Sequence, residues 1–485
     1  MGTARKGSVR AWSGTTPLSG LGPASVSPSM SPRSGFVFVV WVAAFLAGGC
    51  RSVDAPAKGG FPAPRFPLRI SDDRSHLVDA AARPFLYHAD TPWGLVTRLR
   101  REEVERYFDH RRAAGFNAVQ VQLIPEAAIT SGTNAYGHGP FRKPGDFSVP
   151  DSRYFDHAAW VVRQARQRGM LVALNPVWLG CCDGGRRDLM ALNGVDRCRE
   201  FGRFLGRRFG GLDNVLWIQG GDRDPGRWRP FVDALAEGLK ETAPHQLHTA
   251  HWSSTHSSLD EIGDARWLDL NAAYTYAAEH EGAWRRQFHV YHSARRDAER
   301  VPRTPFFLIE STYEGEHGAT AQKVRRQAWW AMLSGACGQA MGNGRIWGFR
   351  EGWPTHLDTP AVRDLRVLRR VLEDHRWWTL RPDFGHQVLT NGLGTYNAGD
   401  RPGGDDYVAV AAAPDGTALA YVPEGGTVSV STFPAMREAD WIDPTNGRSV
   451  ARLGISAETG FTTSAPGRNA AGDRDWILAI RAAKR

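Results

Sequence analysis

Two carboxylates stand where apolar segments of the sequence end. Asp222 follows the apolar run at residues 215–218 and a pair of glycines, and Glu310 ends the apolar run that begins at Phe306. Hydrolysis of a glycosidic bond needs such a pair, because one carboxyl group protonates the leaving oxygen while the other attacks the anomeric carbon or activates water. We therefore predict a catalytic pair, with Asp222 as general acid/base and Glu310 as nucleophile.

Each carboxylate has a competing interpretation. Asp222 could cap the helix that follows it, which is a common role for aspartate. Glu310 ends an otherwise uncharged strand, and a buried glutamate is costly unless it is paired or functional. Glu314 and Glu316 are rivals of Glu310 a few residues downstream, and Tyr313 lies where its hydroxyl could orient Glu310.

The elements that must position this pair alternate between strand and helix patterns, with glycine stops such as Gly115 and Gly169. Strands are predicted at residues 85–89, 116–124, 170–178, 215–219, 246–251, 267–273, 306–310 and 338–342. Helices are predicted at residues 101–115, 155–168, 194–209, 229–241, 281–300, 319–334 and 359–374. Eight strands over about 300 residues predict an α/β fold of the (β/α)8 TIM-barrel type, with an open doubly wound sheet as the alternative.

In such a barrel the catalytic residues lie at the C-terminal ends of the strands. We use this rule, together with the tendency of flat aromatic side chains to stack on sugar rings, to predict a set of substrate-binding residues. Its members are Asp90, Trp93, Gln122, Asn175, Trp178, His251, Tyr274, Tyr313, Asn343 and Trp347. A single Asn or Gln at a strand end is also often a structural hydrogen-bonding group.

The histidines and cysteines do not form a recognisable metal or cofactor motif. His251, His256, His280 and His292 lack the His-Glu-x-x-His spacing or any other metal spacing. No Gly-x-Ser-x-Gly elbow or phosphate-binding loop is present either. We therefore predict no metal and no cofactor.

The N-terminus predicts export. Residues 1–29 are rich in Ser, Pro, Gly and Arg and are predicted to be disordered. From Met30, a short basic stretch, an apolar run and small residues lead to Cys50, as in a bacterial lipoprotein signal. We predict lipid attachment at Cys50 and hence a membrane anchor, with plain secretion as the alternative; Met1 and Met30 are both candidate start residues.

The net charge bears on a nucleic-acid partner, and the cysteines bear on disulfide bonds. The formal net charge of +9 lies partly in the N-terminal segment and forms no basic stripe, so a nucleic-acid partner is not expected. An exported protein can form disulfides. Cys198 with Cys181 or Cys182 is one candidate pairing, although the spacing does not determine it.

Domain boundaries follow from changes in composition. Residues 51–70 are a Pro/Ala/Gly linker, and the barrel is predicted at 71–380. Residues 381–485 contain short strands near 407–413, 417–422, 427–431 and 476–480, separated by Gly and Pro turns. This pattern predicts a small all-β sandwich.

Several motifs of the barrel resemble a known family. They are residues 85–93 (Phe-Leu-Tyr-His-Ala-Asp-Thr-Pro-Trp), 115–117 (Gly-Phe-Asn), 219–225 (Gln-Gly-Gly-Asp-Arg-Asp-Pro), Ile309-Glu310 with Tyr313-Glu314, and 343–347. With these, residues from about 65 to 380 resemble the apiosidase-like catalytic domain, glycoside hydrolase family 140. Residues from about 381 to 485 resemble the β-rich, collagen-binding-like domain that often follows it, through motifs at 441–447 and 475–480.

The resemblance implies a barrel glycosidase that acts on plant cell-wall pectin, an oligo- or polysaccharide substrate, and releases apiose-linked side chains. The family's catalytic pair matches Asp222 and Glu310. A non-catalytic glycan-binding surface protein on the same scaffold is the alternative, because a fold alone does not establish an activity.

Overall fold

The computed structural model describes residues 61–127, 129, 132–180, 185–276, 290–398, 403–432, 436–454 and 459–482, which belong to one compact unit, Lys58–Arg485. Cys50, Cys181, Cys182 and His280 lie outside the described residues. No helix in the described part of the chain is long and apolar enough to cross a bilayer. Export and lipid attachment therefore stay predictions.

Eight parallel strands form a nearly closed barrel, as predicted. They are β1 (Tyr87–Asp90), β2 (Ala118–Gln122), β3 (Leu171–Asn175), β4 (Val215–Gly220), β5 (Leu247–His251), β6 (Asn271–Tyr274), β7 (Phe306–Glu310) and β8 (Gly338–Met341). The order in the sheet is β5-β4-β3-β2-β1-β8-β7-β6, with every neighbour parallel. Nearly all residues of these strands are buried, which explains their continuous apolar character.

A serine side chain joins the two edge strands, β5 and β6. The hydroxyl of Ser258 donates to the carbonyl of Ala250 and accepts from the backbone N–H of Ala272 at 3.0 Å. Leu270 N–H also donates to the His248 carbonyl at 3.0 Å. These bonds satisfy backbone groups that a regular ladder would otherwise pair.

Helices surround the barrel, with bounds α1 (Leu95–Arg98), α2 (Arg101–Ala113), α3 (Ser152–Gln167), α4 (Arg187–Phe209), α5 (Arg229–Thr242), α6 (Ser258–Ile262), α7 (Val290–Ala298), α8 (Ala321–Leu333) and α9 (Pro360–Asp374). The prediction missed the short helices α1 and α6. It also began α4 at Gly194, which is instead a kink within the helix at φ +75°. The first residues of that helix lie before the glycine.

The predicted start of β6 at Trp267 was wrong, since the strand begins at Asn271. Residues 265–268 form a turn instead, which the hydrogen bond from Leu268 N–H to the Ala265 carbonyl closes. A three-stranded antiparallel sheet before the barrel, Arg69–Ile70, Leu77–Val78 and Pro84–Phe85, was also not predicted. Its strands have two residues each, too few to show a period.

Antiparallel strands follow the barrel: β9 (Arg381–Pro382), β10 (Leu389–Asn391), β11 (Ala409–Ala412), β12 (Ala418–Val422), β13 (Thr427–Val430), β14 (Met436–Ile442), β15 (Ser449–Gly454), β16 (Phe461–Ser464) and β17 (Trp476–Ala482). They form a six-stranded sheet, β9-β11-β12-β17-β14-β15, and a three-stranded sheet, β10-β13-β16. The predicted all-β region is therefore confirmed, while the boundaries at 70/71 and 380/381 stay predictions.

The six-stranded sheet is covered on both faces. Leu419 and Ile477 belong to the hydrophobic cluster of the barrel, whereas Ala420 and Leu478 belong to the cluster shared with the smaller sheet. Because successive side chains of a strand point to opposite faces, this alternation places the large sheet between the barrel and the small sheet. The two β-sheets thus form a sandwich that packs on the barrel.

A buried ion network strengthens this contact. Arg325 on α8 has a side chain that is 1% exposed, and its guanidinium donates to both carboxylate oxygens of Asp475 and to Asp364. Tyr421 on β12 donates to Asp475 at 2.8 Å. The network fixes the β-rich region against the barrel helix.

Candidate active site

Asp222 is presented by a glycine turn at the end of β4. Gly220 and Gly221 have φ of +85° and +129°, and Asp222 itself has φ of +53°. A Cβ atom at Gly221 would lie 2.4 Å from the indole of Trp178, so no larger residue fits there. A left-handed non-glycine residue is uncommon and is often found at functional sites. The turn therefore directs the Asp222 side chain at the cost of backbone strain.

Glu310 is the last residue of β7, and it is 6% exposed. The four residues before it on the strand are apolar and buried. Its carbonyl accepts from Thr275 N–H at 3.0 Å, which ties the end of β7 to the end of β6. The strand thus delivers a carboxyl group to the C-terminal rim of the barrel, where Asp222 also lies.

His251, at the end of β5, bridges the two carboxylate residues. Its Nδ1 accepts from the backbone N–H of Asp222 at 3.0 Å, and its Nε2 lies 2.6 Å from Oε2 of Glu310. Because a backbone N–H can only donate, Nδ1 carries no proton, and Nε2–H must donate to Glu310. Burial lowers the pKa of His251 to about 4, so the imidazole is neutral at pH 7 and keeps this tautomer.

The pair is closely spaced. One ligand atom from each of Asp222, His251 and Glu310 lies within 4.8 Å of the others, so an oxygen of each carboxylate is within that distance of the other carboxylate. The folded chain therefore brings together the two residues that the sequence singled out, although they are 88 positions apart.

Burial raises the pKa values of both carboxyl groups. The pKa of Glu310 rises to about 8, and the nearby hydroxyl of Tyr313 opposes the rise. The pKa of Asp222 rises to about 6 through burial and then through repulsion by Glu310, and the hydrogen bond from Tyr274 opposes it. A pair with separated pKa values holds one proton near neutral pH, which is the state needed for acid catalysis beside an ionised carboxylate.

Two tyrosines of the predicted substrate-binding set contact this pair. The hydroxyl of Tyr274 donates to Oδ1 of Asp222 at 2.9 Å, and the ring lies 4.4 Å from the His251 ring between centroids. The hydroxyl of Tyr313 accepts from Nε1 of Trp93 at 2.8 Å. Tyr274 and Tyr313 therefore position the carboxyl groups, in addition to any sugar contact they make.

Aromatic rings line the site. Trp178 lies 4.9 Å from Trp93 and 5.2 Å from His251 between ring centroids. Both tryptophans are almost fully buried. Trp347, beyond β8, is half-buried and donates from Nε1 to Glu316 at 2.8 Å, so its ring is accessible at the rim.

The rivals of Glu310 have other partners. Glu314 accepts from Asn343 and Thr359, and from the backbone N–H of Ala361 in the first turn of α9 at 3.2 Å. Glu314 therefore stabilises the start of a helix, and Asn343 is its partner. Glu316 accepts from Tyr276 at 2.6 Å and from the indole of Trp347 on its other oxygen, so it orients two rim aromatics.

Other members of the predicted set are held by structural bonds. Asp90 is fully buried and accepts from Arg111 at 2.5 Å and from Tyr107 at 2.6 Å. Asn175 donates to the carbonyls of Ile218 and Gly220 at 2.9 Å, which supports the end of β4. These bonds account for the Asp90 carboxylate and for the amide nitrogen of Asn175 without a substrate, whereas the Asn175 side-chain oxygen is buried without a partner among the described residues.

Glu126 is a carboxylate near the pair that the sequence did not single out. It follows Gln122 by four residues, and its N–H donates to the Gln122 side chain at 3.3 Å. Burial and then repulsion by Asp222 and Glu310 raise the pKa of Glu126 to about 7. Glu126 lies two residues after the predicted strand at 116–124, so the strand-end rule could have selected it. Nothing else in the sequence distinguished it from a solvated loop side chain.

Two clusters among the described residues bring histidine and carboxylate ligand atoms within 4.8 Å of one another. They are Asp222, His251 and Glu310, and Asp224, His256 and Glu261. In the first cluster both ring nitrogens of His251 are already engaged. Of the cysteines described, Cys198 and Cys337 are buried free thiols, and Cys198 contacts the Met190 carbonyl rather than a disulfide partner.

The comparisons with known proteins agree with this geometry. A family model described as the apiosidase-like catalytic domain matches residues 71–379. The chain belongs to this family. The family assignment and the site described above identify the chain as a glycoside hydrolase. Its substrate is therefore a carbohydrate.

Solved structures share the fold of this glycoside hydrolase. One described as a glycoside hydrolase has a TM-score of 0.74 and 20% identity, covering 86% of this chain and 97% of its own. A glycoside hydrolase family 5 protein from Bacteroides vulgatus also has a TM-score of 0.74, with 21% identity over 86% of this chain and 94% of its own. No curated protein matches the sequence.

Proposed function

We propose that this glycosidase is exported and cleaves glycosidic bonds of a plant cell-wall or related polysaccharide by a retaining, two-carboxylate mechanism. The observation that carries the mechanism is the pair Asp222 and Glu310, with oxygens within 4.8 Å of one another at the ends of β4 and β7. Retaining glycosidases place their carboxyl groups about 5–5.5 Å apart, whereas inverting enzymes need about 6.5–9.5 Å to admit a water molecule. The close approach supports retention.

In the first step, Asp222 donates its proton to the leaving oxygen while Glu310 attacks the anomeric carbon. The covalent glycosyl–enzyme is then hydrolysed by a water molecule that gives its proton to Asp222, so that the pair returns to its original state. The hydrogen bond from His251 Nε2 to Glu310 supports this assignment, because a donor stabilises the ionised form of its acceptor. The higher pKa of Glu310 alone would favour the reverse roles.

The polysaccharide class rests on the family and on the aromatic lining. The family's name refers to cleavage at apiose, and an apiose-containing pectin is therefore the first substrate to test. Trp93 and Trp178 pack around His251 beside the pair, and the half-buried Trp347 is held at the rim by Glu316. Export, with lipid attachment at Cys50 or plain secretion, would bring the enzyme to a substrate too large to enter the cell.

The test is sugar release by the purified protein from a panel of plant and microbial glycans that includes apiose-containing pectin. Glu310→Gln and Asp222→Asn remove one acid function each while keeping the side-chain volume. We expect release by the wild type, and loss of at least about a thousandfold in either variant, since each group acts in the bond-breaking step.

The anomeric configuration of the sugar released first shows whether the reaction retains or inverts the anomeric centre. NMR spectra recorded within the first minutes distinguish retention from inversion. Retention is expected, and inversion would refute the nucleophile role of Glu310. No release from any glycan, with binding intact in all three proteins, would instead support a glycan-binding protein.

A further inference from the structure

Glu126 is held beside the catalytic pair by the loop that follows β2. Its N–H donates to the side chain of Gln122, and the carbonyl of Pro125 accepts from Nε of Arg186 at 2.8 Å. Just before it, the Ile124 carbonyl accepts from the backbone N–H of Trp178 at 3.4 Å. The backbone just before the glutamate is therefore fixed.

The same contacts place this loop against the turn that carries Asp222. The indole of Trp178 packs directly on Gly221, the neighbour of Asp222. Trp178 is thus bonded through its backbone to the Glu126 loop and packed through its ring on the catalytic turn. Glu126 is half-buried at this junction.

The carboxylate of Glu126 accepts no hydrogen bond from any residue in the described part of the chain. Arg186 attracts the negative charge of Glu126, whereas Asp222 and Glu310 both repel it. An unpaired, half-buried carboxylate costs free energy in the unliganded protein. A ligand that supplies hydrogen-bond donors would lower this cost.

We propose that Glu126 accepts hydrogen bonds from hydroxyl groups of the sugar unit whose bond is cleaved, and that its negative charge disfavours a uronic acid at that position. The proposal rests on the glycosidase function proposed above. Sugar hydroxyls are good donors to a carboxylate, and two neighbouring hydroxyls match its two oxygens. A uronic acid would add a fourth carboxylate to a space that already holds three and a neutral imidazole.

The first experiment compares 4-nitrophenyl glycosides of neutral pentoses and hexoses with those of glucuronic and galacturonic acid. The full chain is assayed as wild type, Glu126→Gln, Glu126→Ala and a matched control, Glu105→Gln, which changes an exposed glutamate on α2. We expect release from a neutral glycoside only. Glu126→Ala should lower kcat/KM by roughly tenfold to a hundredfold, since hydrogen bonds to a charged group are the strong ones.

Glu126→Gln should lose less than Glu126→Ala, because glutamine keeps one acceptor oxygen. Its effect should fall mainly on KM. Of the two pKa values of the catalytic pair read from the pH profile, the higher should fall because Glu126 is ionised near pH 8, whereas the lower should stay near 6 because Glu126, with a pKa of about 7, is mostly protonated there. A purely structural role would not move either pKa value. Glu105→Gln should match the wild type in both readouts.

A second experiment separates this proposal from the proposed function. Calorimetric titration of Asp222→Asn, with and without Glu126→Gln, measures binding of neutral and uronic-acid oligosaccharides without turnover. If the wild type releases nothing, the glycosidase assignment fails, and weaker binding of neutral sugars on loss of Glu126 still supports the carboxylate's role. The proposal is overturned if the protein prefers a uronide. It is also overturned if Glu126→Ala keeps activity and affinity within twofold of the wild type, or if no sugar binds at all.

Discussion

The hydroxyl of Tyr274 provides a sharp test of the site, because it is bonded to one carboxyl group of the pair. It donates to Oδ1 of Asp222 at 2.9 Å and so stabilises the ionised form of that carboxyl group. Tyr274→Phe removes this donor and keeps the ring that packs against His251. The pKa of Asp222, already raised to about 6 by burial, should rise further.

The size of the effect follows from the strength of the bond. A hydrogen bond to a charged group contributes about 1.5–3 kcal/mol, and one pKa unit corresponds to about 1.4 kcal/mol. The pKa of Asp222 should therefore rise by about 1–2 units on loss of the hydroxyl.

The assay is kcat/KM as a function of pH on a substrate that the wild type cleaves. The competent pair holds one proton, so the wild-type profile should be a bell with limbs near the pKa values of about 6 and about 8. Activity is lost below the acid limb because both carboxyl groups are protonated, and above the alkaline limb because both are ionised. Tyr274→Phe should move the acid limb upward and narrow the bell.

Tyr396→Phe is the matched control, because Tyr396 is 39% exposed and bonded to His292, away from the pair. Its profile should coincide with that of the wild type. An acid limb in Tyr274→Phe that stays in place or moves to lower pH would refute the assignment of Asp222 as a titrating member of the pair.

Three further changes have defined outcomes. Tyr313→Phe removes the hydroxyl that opposes the rise of the Glu310 pKa. The alkaline limb of the pH profile should therefore move above about pH 8. Gly221→Ala forces a Cβ into the ring of Trp178 and should lower kcat by roughly a hundredfold, the cost of displacing a reacting group by about 1 Å. Arg325→Met leaves Asp475 buried without its cation and should lower the free energy of unfolding by about 3–5 kcal/mol, measured by denaturant titration.

Each change has a control of the same chemistry, and Tyr396→Phe serves again for Tyr313→Phe. Gly211→Ala introduces a Cβ with no atom within 4 Å and should leave kcat unchanged. Arg363→Met removes an exposed ion pair and should cost less than about 1 kcal/mol. An equal loss in variant and control, or an alkaline limb of Tyr313→Phe at lower pH, would contradict the reasoning.

The order of strands, and with it the closeness of Asp222 and Glu310, could be predicted from the sequence because both depend on local pattern. A buried parallel strand has an apolar run, and Glu310 ends such a run at the predicted position. Two glycines before Asp222 marked a turn that only a small residue can make. The carboxyl ends of parallel strands meet at one rim of a barrel, so the closeness of the pair followed from the fold class.

The partners of individual side chains could not be predicted in this way. Asp90 ends β1 and Glu314 follows the end of β7 by four residues, yet Asp90 is paired with Arg111 and Glu314 with the start of α9. These partners lie 21 and 47 positions away, and no sequence period relates them. Only the packed structure determines which carboxylates are neutralised by a neighbour.

The sequence by itself thus determined the barrel, the β-rich region after it and the two carboxylates at the ends of β4 and β7. Tertiary structure decided that His251 links Asp222 to Glu310 in one tautomer, and that the Glu126 carboxylate has no hydrogen-bond donor among the residues that the structure describes. The physical reason is that strand patterns are set by neighbours along the chain. Hydrogen bonds and desolvation, which set protonation states, depend on side chains that meet only after the chain has folded.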